Sequence, residues 1–260
     1  MKEKLNKGAL IYHYTILTLV FLFLALPIVA SFLYSISSSW SVSILPDGFT
    51  LKWYANLLDD ERFLASLLRS LYICILSLLL CFVLVFPLVL VSNLYLKRLK
   101  PFVNFLVLMP FAVPPIVTCV GLLELYSSSL GGSAYILIFA YFTLALPFVY
   151  RALENSINAI NLQELIASNA ILGGSLLRAV FKLIIPSIKN GLLVAFFLSF
   201  SFLIGEFLYA NILAGGAYET LQVYLYSIKN QSGHYSSALL MVYFLLIFIA
   251  TFLASLLKDK

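Results

Sequence analysis

The strongest constraint on the fold is a set of six long apolar stretches that together occupy most of the chain. They lie at residues 11–36, 70–95, 102–125, 135–153, 188–212 and 236–257. A helix needs about 20 apolar residues to cross a hydrocarbon layer about 30 Å thick. Composition agrees, since 63% of the 260 residues are hydrophobic and only 10% are charged, which leaves too few polar groups to cover a soluble globule. The sequence therefore predicts an all-α membrane protein with six transmembrane helices.

The distribution of Lys and Arg predicts the orientation of these spans, because cytoplasmic loops carry an excess of basic residues. With both ends of the chain inside, 12 of the 16 basic residues are cytoplasmic and four are outside or at the boundary. The twelve are Lys2, Lys4, Lys7, Lys97, Arg98, Lys100, Arg151, Arg178, Lys182, Lys189, Lys258 and Lys260. We therefore expect an N-in, C-in topology, in which residues 154–187 form the longest cytoplasmic loop.

The segments assigned to the outer side have a different character. Residues 37–69 contain aromatic residues that favour the headgroup layer, together with a helical stripe that predicts a short helix along the outer surface. The stripe consists of Leu51, Tyr54, Leu57 and Leu58. Residues 213–235 mix glycines and polar residues with an apolar run, so this segment is a candidate to dip back toward the membrane.

Acidic groups inside the apolar stretches are rare, and Glu206 is the clearest one. A charge within the bilayer is costly unless it faces a cavity or a partner. Two interpretations stay open for Glu206: it lines a translocation path together with Asn211, or it forms a hydrogen bond between helices. In the third stretch, Pro114 and Pro115 end the run MPFAVPP, which indicates either ordinary irregularity of a membrane helix or a span that is broken at residues 110–115 and lines a moving pathway.

The sequence contains no cluster suited to covalent, hydrolytic or metal chemistry. Neither His13 nor His234 has a second ligand at metal-binding spacing. The three cysteines lie in apolar stretches and are interpreted as small buried hydrophobes. No phosphate-binding loop or hydrolase signature is present. We expect neither an enzyme nor a bound cofactor or metal, so the energy must come from an ion gradient, passive flow or a partner with its own nucleotide site.

The loop between the fourth and fifth spans predicts a helix, a turn and a second helix. The first helix is amphipathic, and its inner face consists of Leu162, Leu165, Ile166 and Asn169 or Ala170. Gly173 and Gly174 follow and permit a sharp turn. Ser175 is placed to cap the second short helix, and Pro186 opens the way into the fifth span. We call this helix, turn and helix the elbow, residues 161–187.

The spacing within the elbow matches a signature called the EAA motif. It runs Glu-Ala-Ala, three residues, Gly, nine residues, then a hydrophobic residue, any residue, a hydrophobic residue and Pro. The matching positions here are Ala167, Ser168, Asn169, Gly173, Leu183, Ile185 and Pro186. In this loop the chain resembles the permease subunits of binding-protein-dependent ABC importers. The motif's Glu is absent because Ala167 stands in its place, and Glu164, one turn earlier on the same face, is the candidate to replace it.

The resemblance extends over nearly the whole chain. The six spans, an outer surface helix before the second span, Gly-Glu-Phe at 205–207 and Thr-Leu at 220–221 are similar to the branch that serves polyamines, organophosphonates, ferric iron, thiamine and oxyanions. The resemblance implies a single transmembrane permease domain over residues 1–260, located in the inner or plasma membrane. It also implies an importer fold of type I, in which the chain supplies half of the path for a small solute.

The partners implied by the resemblance are two ATP-binding cassette subunits, a second permease that is a different chain rather than a copy, and an external solute-binding protein. ATP hydrolysis would then belong to the ATP-binding subunits, with coupling through the elbow. The coupling residues are Glu164, Ala167, Ser168, Asn169, Gly173, Gly174, Ser175 and Pro186. The net charge of +5 reflects cytoplasmic loops that face anionic lipid. We therefore expect membrane lipid, and not nucleic acid, as a further partner.

Two other classes of protein stay open. A secondary transporter or channel would also form a six-span bundle, but it would work without a nucleotide-binding partner and would carry more coupled carboxylates in its spans. A membrane enzyme or assembly factor is disfavoured by the absence of a reactive cluster. The solute is not determined by the sequence, and the resemblance favours a polyamine or an organophosphonate.

Overall fold

A computed structural model of the chain describes residues 7–41 and 45–258, and these residues are almost entirely helical. The outermost basic residues of the count above, Lys2, Lys4 and Lys260, lie outside the described residues. The helices are α1 (Lys7–Ser35), α2 (Lys52–Leu58), α3 (Glu61–Leu94), α4 (Lys100–Ala112), α5 (Pro115–Leu130), α6 (Ala134–Asn158), α7 (Leu162–Ile171), α8 (Leu176–Ala179), α9 (Ile185–Ser187), α10 (Lys189–Leu203), α11 (Leu208–Leu213), α12 (Leu221–Ile228) and α13 (Gly233–Lys258). Within the described ranges, extended pairing is limited to one bridge between Ser37 and Phe49. The all-α prediction is confirmed.

Four of these helices are individually long and apolar enough to cross a membrane. They are α1, α3, α6 and α13. Two further candidates are pairs of helices bent at a short break, so the described residues provide four spans, or up to six if each bent pair crosses once. Helix α3 begins at Glu61, well before the predicted start of the second span at residue 70, because the amphipathic sequence before the span continues the same helix.

The first bent pair lies where the sequence predicts a broken span. Between α4 and α5 the chain turns by 93°, with Val113 and Pro114 in extended conformations. A residue that precedes a proline is disfavoured in the α region, and both Val113 and Pro114 precede one. Pro115 then occupies the first turn of α5, where its missing N–H costs no helical hydrogen bond. Pro110, by contrast, stays inside α4.

The prediction of one continuous fifth span over residues 188–212 is wrong. Helix α10 ends at Leu203, the chain turns through Ile204–Phe207, and α11 begins at Leu208. The amide N–H groups of Gly205 and Glu206 donate to carbonyls three residues earlier, at 3.3 and 3.0 Å, so the last turn tightens and closes the helix. A glycine, which favours helix ends, and a carboxylate that caps the next helix together interrupt the apolar run.

The chain forms two compact units. One contains residues up to 61 together with 227–244, and the other contains 62–226 and 245–260. In the smaller unit, the ring of His234 stacks between Tyr34 and Trp53, with ring centroids 4.1 and 5.4 Å apart. In the larger unit, α3, α6 and α10 supply a core of small and branched side chains. Its fully buried members include Ile73, Cys74, Leu78, Cys81, Leu137, Ala145, Val149 and Ala195.

The short helix predicted before the second span is present as α2, but its buried face is narrower than predicted. Leu57 is 1% exposed and Tyr54 is half-buried, with its hydroxyl 2.7 Å from Ser35 Oγ. Leu51 and Leu58 are largely exposed. Leu51 precedes the helix, and Leu58 is adjacent to Leu57 and therefore points about 100° away from it.

Candidate functional site

The elbow has the predicted arrangement of helix, turn and helix. Asn161 precedes α7, and its side-chain oxygen accepts from the backbone N–H of Glu164 at 3.5 Å. Ser175 precedes α8 in an extended conformation, and its hydroxyl oxygen accepts from the backbone N–H of Arg178 at 3.3 Å. Each side chain satisfies an N–H group that would otherwise lack a partner at the start of a helix. These short helices are therefore defined by local capping.

The turn between the two helices requires glycine at two positions for different reasons. Gly173 has a φ of +72°, a conformation that an L-residue rarely adopts. Gly174 lies against the side-chain amide of Asn169, with which any Cβ atom would overlap. The Nδ2 group of Asn169 donates to the backbone carbonyl of Ser175 at 3.0 Å. The backbone carbonyl of Asn169 accepts from the N–H of Gly174 at 2.8 Å. The buried Asn169 thus holds the turn closed.

One face of α7 is buried and the opposite face is exposed. Leu162 and Asn169 are both 7% exposed and form the inner face. The exposed face carries residues at helical spacing, and it ends in two apolar side chains at the turn. Its members are Glu164, Ala167, Ser168, Ile171 and Leu172, the last two being 86% and 84% exposed. Glu164 and Ala167 therefore lie on the same exposed face.

The second arm of the elbow differs from a simple short helix. After α8, residues 180–184 form a π turn, α9 contains Pro186, and the chain bends by 68° at Ile188 before α10. Proline has no N–H, so the carbonyl four residues earlier receives no α-helical hydrogen bond, and the turn before it widens. Pro186 therefore precedes the bend by two residues instead of forming it.

The break after α10 surrounds Glu206. One carboxylate oxygen of Glu206 accepts from the backbone N–H of Tyr209 at 3.0 Å, and its backbone carbonyl accepts from the Tyr141 hydroxyl of α6 at 3.0 Å. The Tyr209 side chain is directed toward Thr118, one turn after Pro114. The helix break at Ile204–Phe207 and the break at Val113–Pro114 therefore lie close together in the larger unit.

The structure also shows where the other residues predicted to line a path lie. Pro114 and Pro115 are exposed at the start of α5, and Asn211 is exposed on α11. Glu206 is half-buried, and it caps α11 instead of standing within a long helix. Helix α11 packs against both α5 and α6, and Gly132, just beyond α5, donates to the carbonyl of Leu213 at 3.1 Å.

Two sets of ionic contacts were missed by the sequence interpretation. Arg62 binds both carboxylate oxygens of Glu219 at 2.8 and 2.6 Å, and joins the start of α3 to the chain before α12. Glu154 on α6 binds Lys100 and Arg151 at 3.1 and 3.0 Å. The Arg151–Glu154 spacing of three residues was the only local signal for either contact. Among the described residues, no group of three or more His, Cys, Asp or Glu is arranged to hold a metal ion.

Comparison with known proteins finds similar sequences among transport permeases. No family model matches the chain. The chain is similar to the spermidine/putrescine transport system permease protein PotC of Escherichia coli (strain K12), with 26% identity over 215 residues that cover 82% of this chain and 80% of PotC. It is also similar to the putative 2-aminoethylphosphonate transport system permease protein PhnV of Salmonella typhimurium (strain LT2), with 26% identity over 224 residues, 84% of this chain and 81% of PhnV.

The fold matches solved ABC transporters. A bacterial ABC transporter that imports the acidic polysaccharide alginate aligns over 96% of both chains with a TM-score of 0.75 and 16% identity. The MetNI methionine ABC transporter aligns over 77% of this chain and 98% of its own, with a TM-score of 0.59 and 20% identity. The homologues are thus permease subunits of ABC importers, and this similarity supports a subunit that contributes to a translocation pathway. The similarity is consistent with a polyamine-like or phosphonate-like permease.

Proposed function

We propose that the chain is a multi-pass permease domain of the inner or plasma membrane, with six spans and both ends in the cytoplasm. It forms half of the path for a small solute, while two separate ATP-binding subunits hydrolyse ATP and an external binding protein delivers the solute. In this arrangement α4 and α5 together make one crossing, and α10 makes another, while the segment that precedes it in the second bent pair stays on the cytoplasmic side as part of the elbow. The second half of the path comes from a different permease chain, and no cofactor is bound by this subunit.

The elbow carries this proposal. Its exposed face presents one carboxylate, two small residues and two nearly fully exposed apolar side chains, on α7 and the residue that follows it. An apolar patch rimmed by polar groups is the kind of surface that docks into a groove of another protein. We assign this surface to the ATP-binding subunit, with Glu164 taking the place of the acidic residue that Ala167 lacks.

The two helix breaks support a path. Membrane transporters commonly form their solute sites where helices are interrupted, because the freed backbone groups and exposed side chains can face a cavity. Here the exposed prolines at 114 and 115, the Glu206 break and the exposed Asn211 all belong to the region where α5 and α11 pack together. We assign these four residues to the path.

The solute is proposed from chemistry shared by the relatives. PotC is named for spermidine and putrescine, and PhnV for 2-aminoethylphosphonate, and all three solutes carry a primary amine. An organic amine is positively charged at neutral pH and is stabilised by a carboxylate. We therefore favour a small organic amine, with Glu206 as the acidic group in the path.

Cysteine accessibility tests the topology and the docking surface together. The native cysteines among the described residues, Cys74, Cys81 and Cys119, are buried, so new cysteines can be labelled selectively. Ser168→Cys should react with a membrane-impermeant thiol reagent only after permeabilisation, and should crosslink to the co-expressed ATP-binding subunit. Ser129→Cys, exposed at the end of α5, is the matched control and should be labelled from outside. Labelling of Ser168→Cys in intact cells would refute the cytoplasmic elbow.

The energy source is tested by uptake into proteoliposomes. The complex containing this chain should accumulate radiolabelled spermidine or 2-aminoethylphosphonate only with ATP in the compartment that the ATP-binding subunits face. Transport that persists without those subunits or without ATP would instead identify a secondary transporter or channel.

A further inference from the structure

An ionic cluster that the proposed function leaves unused lies where α3, α4 and α6 meet. Its centre is the carboxylate of Glu154 on α6, whose side chain is 7% exposed. One oxygen accepts from Lys100 Nζ at 3.1 Å and the other from Arg151 Nη1 at 3.0 Å. Lys100, the first residue of α4, also donates to the side-chain oxygen of Asn93 near the end of α3, at 3.0 Å. A single buried carboxylate therefore joins elements from three helices.

A second polar contact joins α4 to α6 one helical turn away. The hydroxyl of the fully buried Tyr150 donates to Oδ1 of Asn104 at 2.7 Å. Lys100 and Asn104 are four residues apart on α4, as are Tyr150 and Glu154 on α6, so each pair shares one helix face. The two antiparallel helices are therefore held at two points by directional contacts.

These contacts should prevent sliding between the helices. Apolar side chains pack with little penalty for small shifts, but a buried carboxylate that loses its partner becomes an uncompensated charge. Displacing α4 along α6 by one turn would separate Glu154 from Lys100 and Tyr150 from Asn104 simultaneously. The first segment of the broken span, α4, is thus fixed in register to α6.

The cluster lies between the elbow and the helix break along the chain. Helix α6 ends at Asn158, four residues after Glu154, and α7 of the elbow begins at Leu162. Helix α4 starts at Lys100 and ends at Ala112, next to the break at Val113–Pro114. In addition, Gln163 of α7 and the turn at residues 94–99 line one cleft. The elbow therefore adjoins both the end of α6 and the start of α4, so these two helices are placed to move when the elbow is displaced.

We propose that Glu154 is a positioning residue for transport: it makes α4 and α6 move as one body, so that displacement of the elbow is transmitted to the break between α4 and α5. This inference rests on the proposed function, because it presupposes that an ATP-binding subunit displaces the elbow. Neither Glu154 nor Lys100 needs to contact the solute.

The test uses the full importer complex in proteoliposomes, with ATP hydrolysis and uptake measured on the same preparation. The informative variant is the double substitution Glu154→Gln with Lys100→Met. It removes the charges of Glu154 and Lys100 together, and the remaining partner, Arg151, has a side chain that is 45% exposed and can be solvated. The matched control is Glu124→Gln, the same chemical change at an exposed carboxylate on α5.

We expect the double variant to assemble with an unchanged melting temperature and to hydrolyse ATP within about twofold of wild type, while uptake per ATP falls about tenfold. Glu124→Gln should match wild type in all three measurements. The single variant Lys100→Met should also lower uptake per ATP, and adding Glu154→Gln to it should change the ratio little, because both act through one contact.

Three results would overturn the inference. Wild-type coupling in the double variant would leave the proposed function intact and show that the cluster transmits nothing. Failure of the double variant to assemble would assign the cluster a purely structural role. Absence of ATP-dependent uptake by the wild-type complex would refute the proposed function, and this inference with it.

Discussion

A methyl group added at either glycine of the elbow should impair coupling, but through two different mechanisms that a third substitution separates. At Gly173 the φ of +72° is the problem: nothing lies within 4 Å of an added Cβ, so only the backbone is strained. An L-residue in the left-handed region costs about 1–2 kcal/mol. At Gly174 the backbone φ is outside that region, and the added Cβ overlaps the side-chain amide of Asn169.

Asn169→Ala supplies the separating substitution. Alone, it removes the hydrogen bond to the Ser175 carbonyl and should cost about 1–3 kcal/mol. It also removes the amide atoms that the Cβ added by Gly174→Ala would overlap. The loss in free energy of unfolding of the double variant should therefore be about 1–3 kcal/mol smaller than the sum of the losses of the two single variants. No such relief is expected for Gly173→Ala, because its strain does not involve the Asn169 side chain.

The assay is uptake per ATP hydrolysed by the reconstituted complex, with thermal unfolding as the measure of stability. Both single glycine variants should lower the ratio, and Asn169→Ala should partly offset only the effect of Gly174→Ala. If Asn169→Ala relieves both variants equally, or neither, the distinction between backbone strain and side-chain overlap is wrong. Wild-type coupling in Gly173→Ala would refute the role of the turn itself.

Two further predictions concern packing and charge. A Cβ on Gly191 of α10 would overlap the side chain of Ser156 on α6. Gly191→Leu should therefore lower the unfolding temperature by an amount equivalent to about 1–3 kcal/mol. The control Gly216→Ala should not change that temperature, because its Cβ meets nothing within 4 Å. Arg62→Met should lower the free energy of unfolding by about 3 kcal/mol, because it leaves the buried Glu219 unpaired. Glu219→Gln should lower it less, since the Arg62 side chain is 53% exposed and can be solvated. Equal losses of free energy in denaturant titration would contradict this asymmetry.

The sequence was informative about the elbow because every determinant of that structure is local. Capping side chains, a glycine with positive φ and the spacing between them all fall within one short segment. The break before α5 was predictable for the same reason, since two adjacent prolines act on their immediate neighbours. Local chemistry of this kind can be recognised without any knowledge of the tertiary structure.

The break at Glu206 was not predicted, because the local signals from Gly205 and Glu206 are weak. Within an apolar run a single glycine is tolerated, and the carboxylate alone left its role open. In the structure the Tyr141 hydroxyl, which comes from another helix, donates to the Glu206 carbonyl within this break. The Glu154 cluster has the same origin, because Lys100 and Glu154 meet only once α4 and α6 have packed. Partners of buried polar groups are a property of the tertiary fold.

The exposure of α1 has a consequence for how the protein is made. Over the most apolar window of its candidate span, none of the side chains that the structure describes is buried against the rest of the chain. An α-helix satisfies its backbone hydrogen bonds within the segment, as a bilayer requires. Insertion of α1 by the translocation machinery can therefore be completed by lipid alone, before any later helix has been synthesised. We expect α1 supplied as a separate polypeptide to insert on its own, whereas α6, with 61% of its most apolar window buried, depends on neighbours synthesised before and after it.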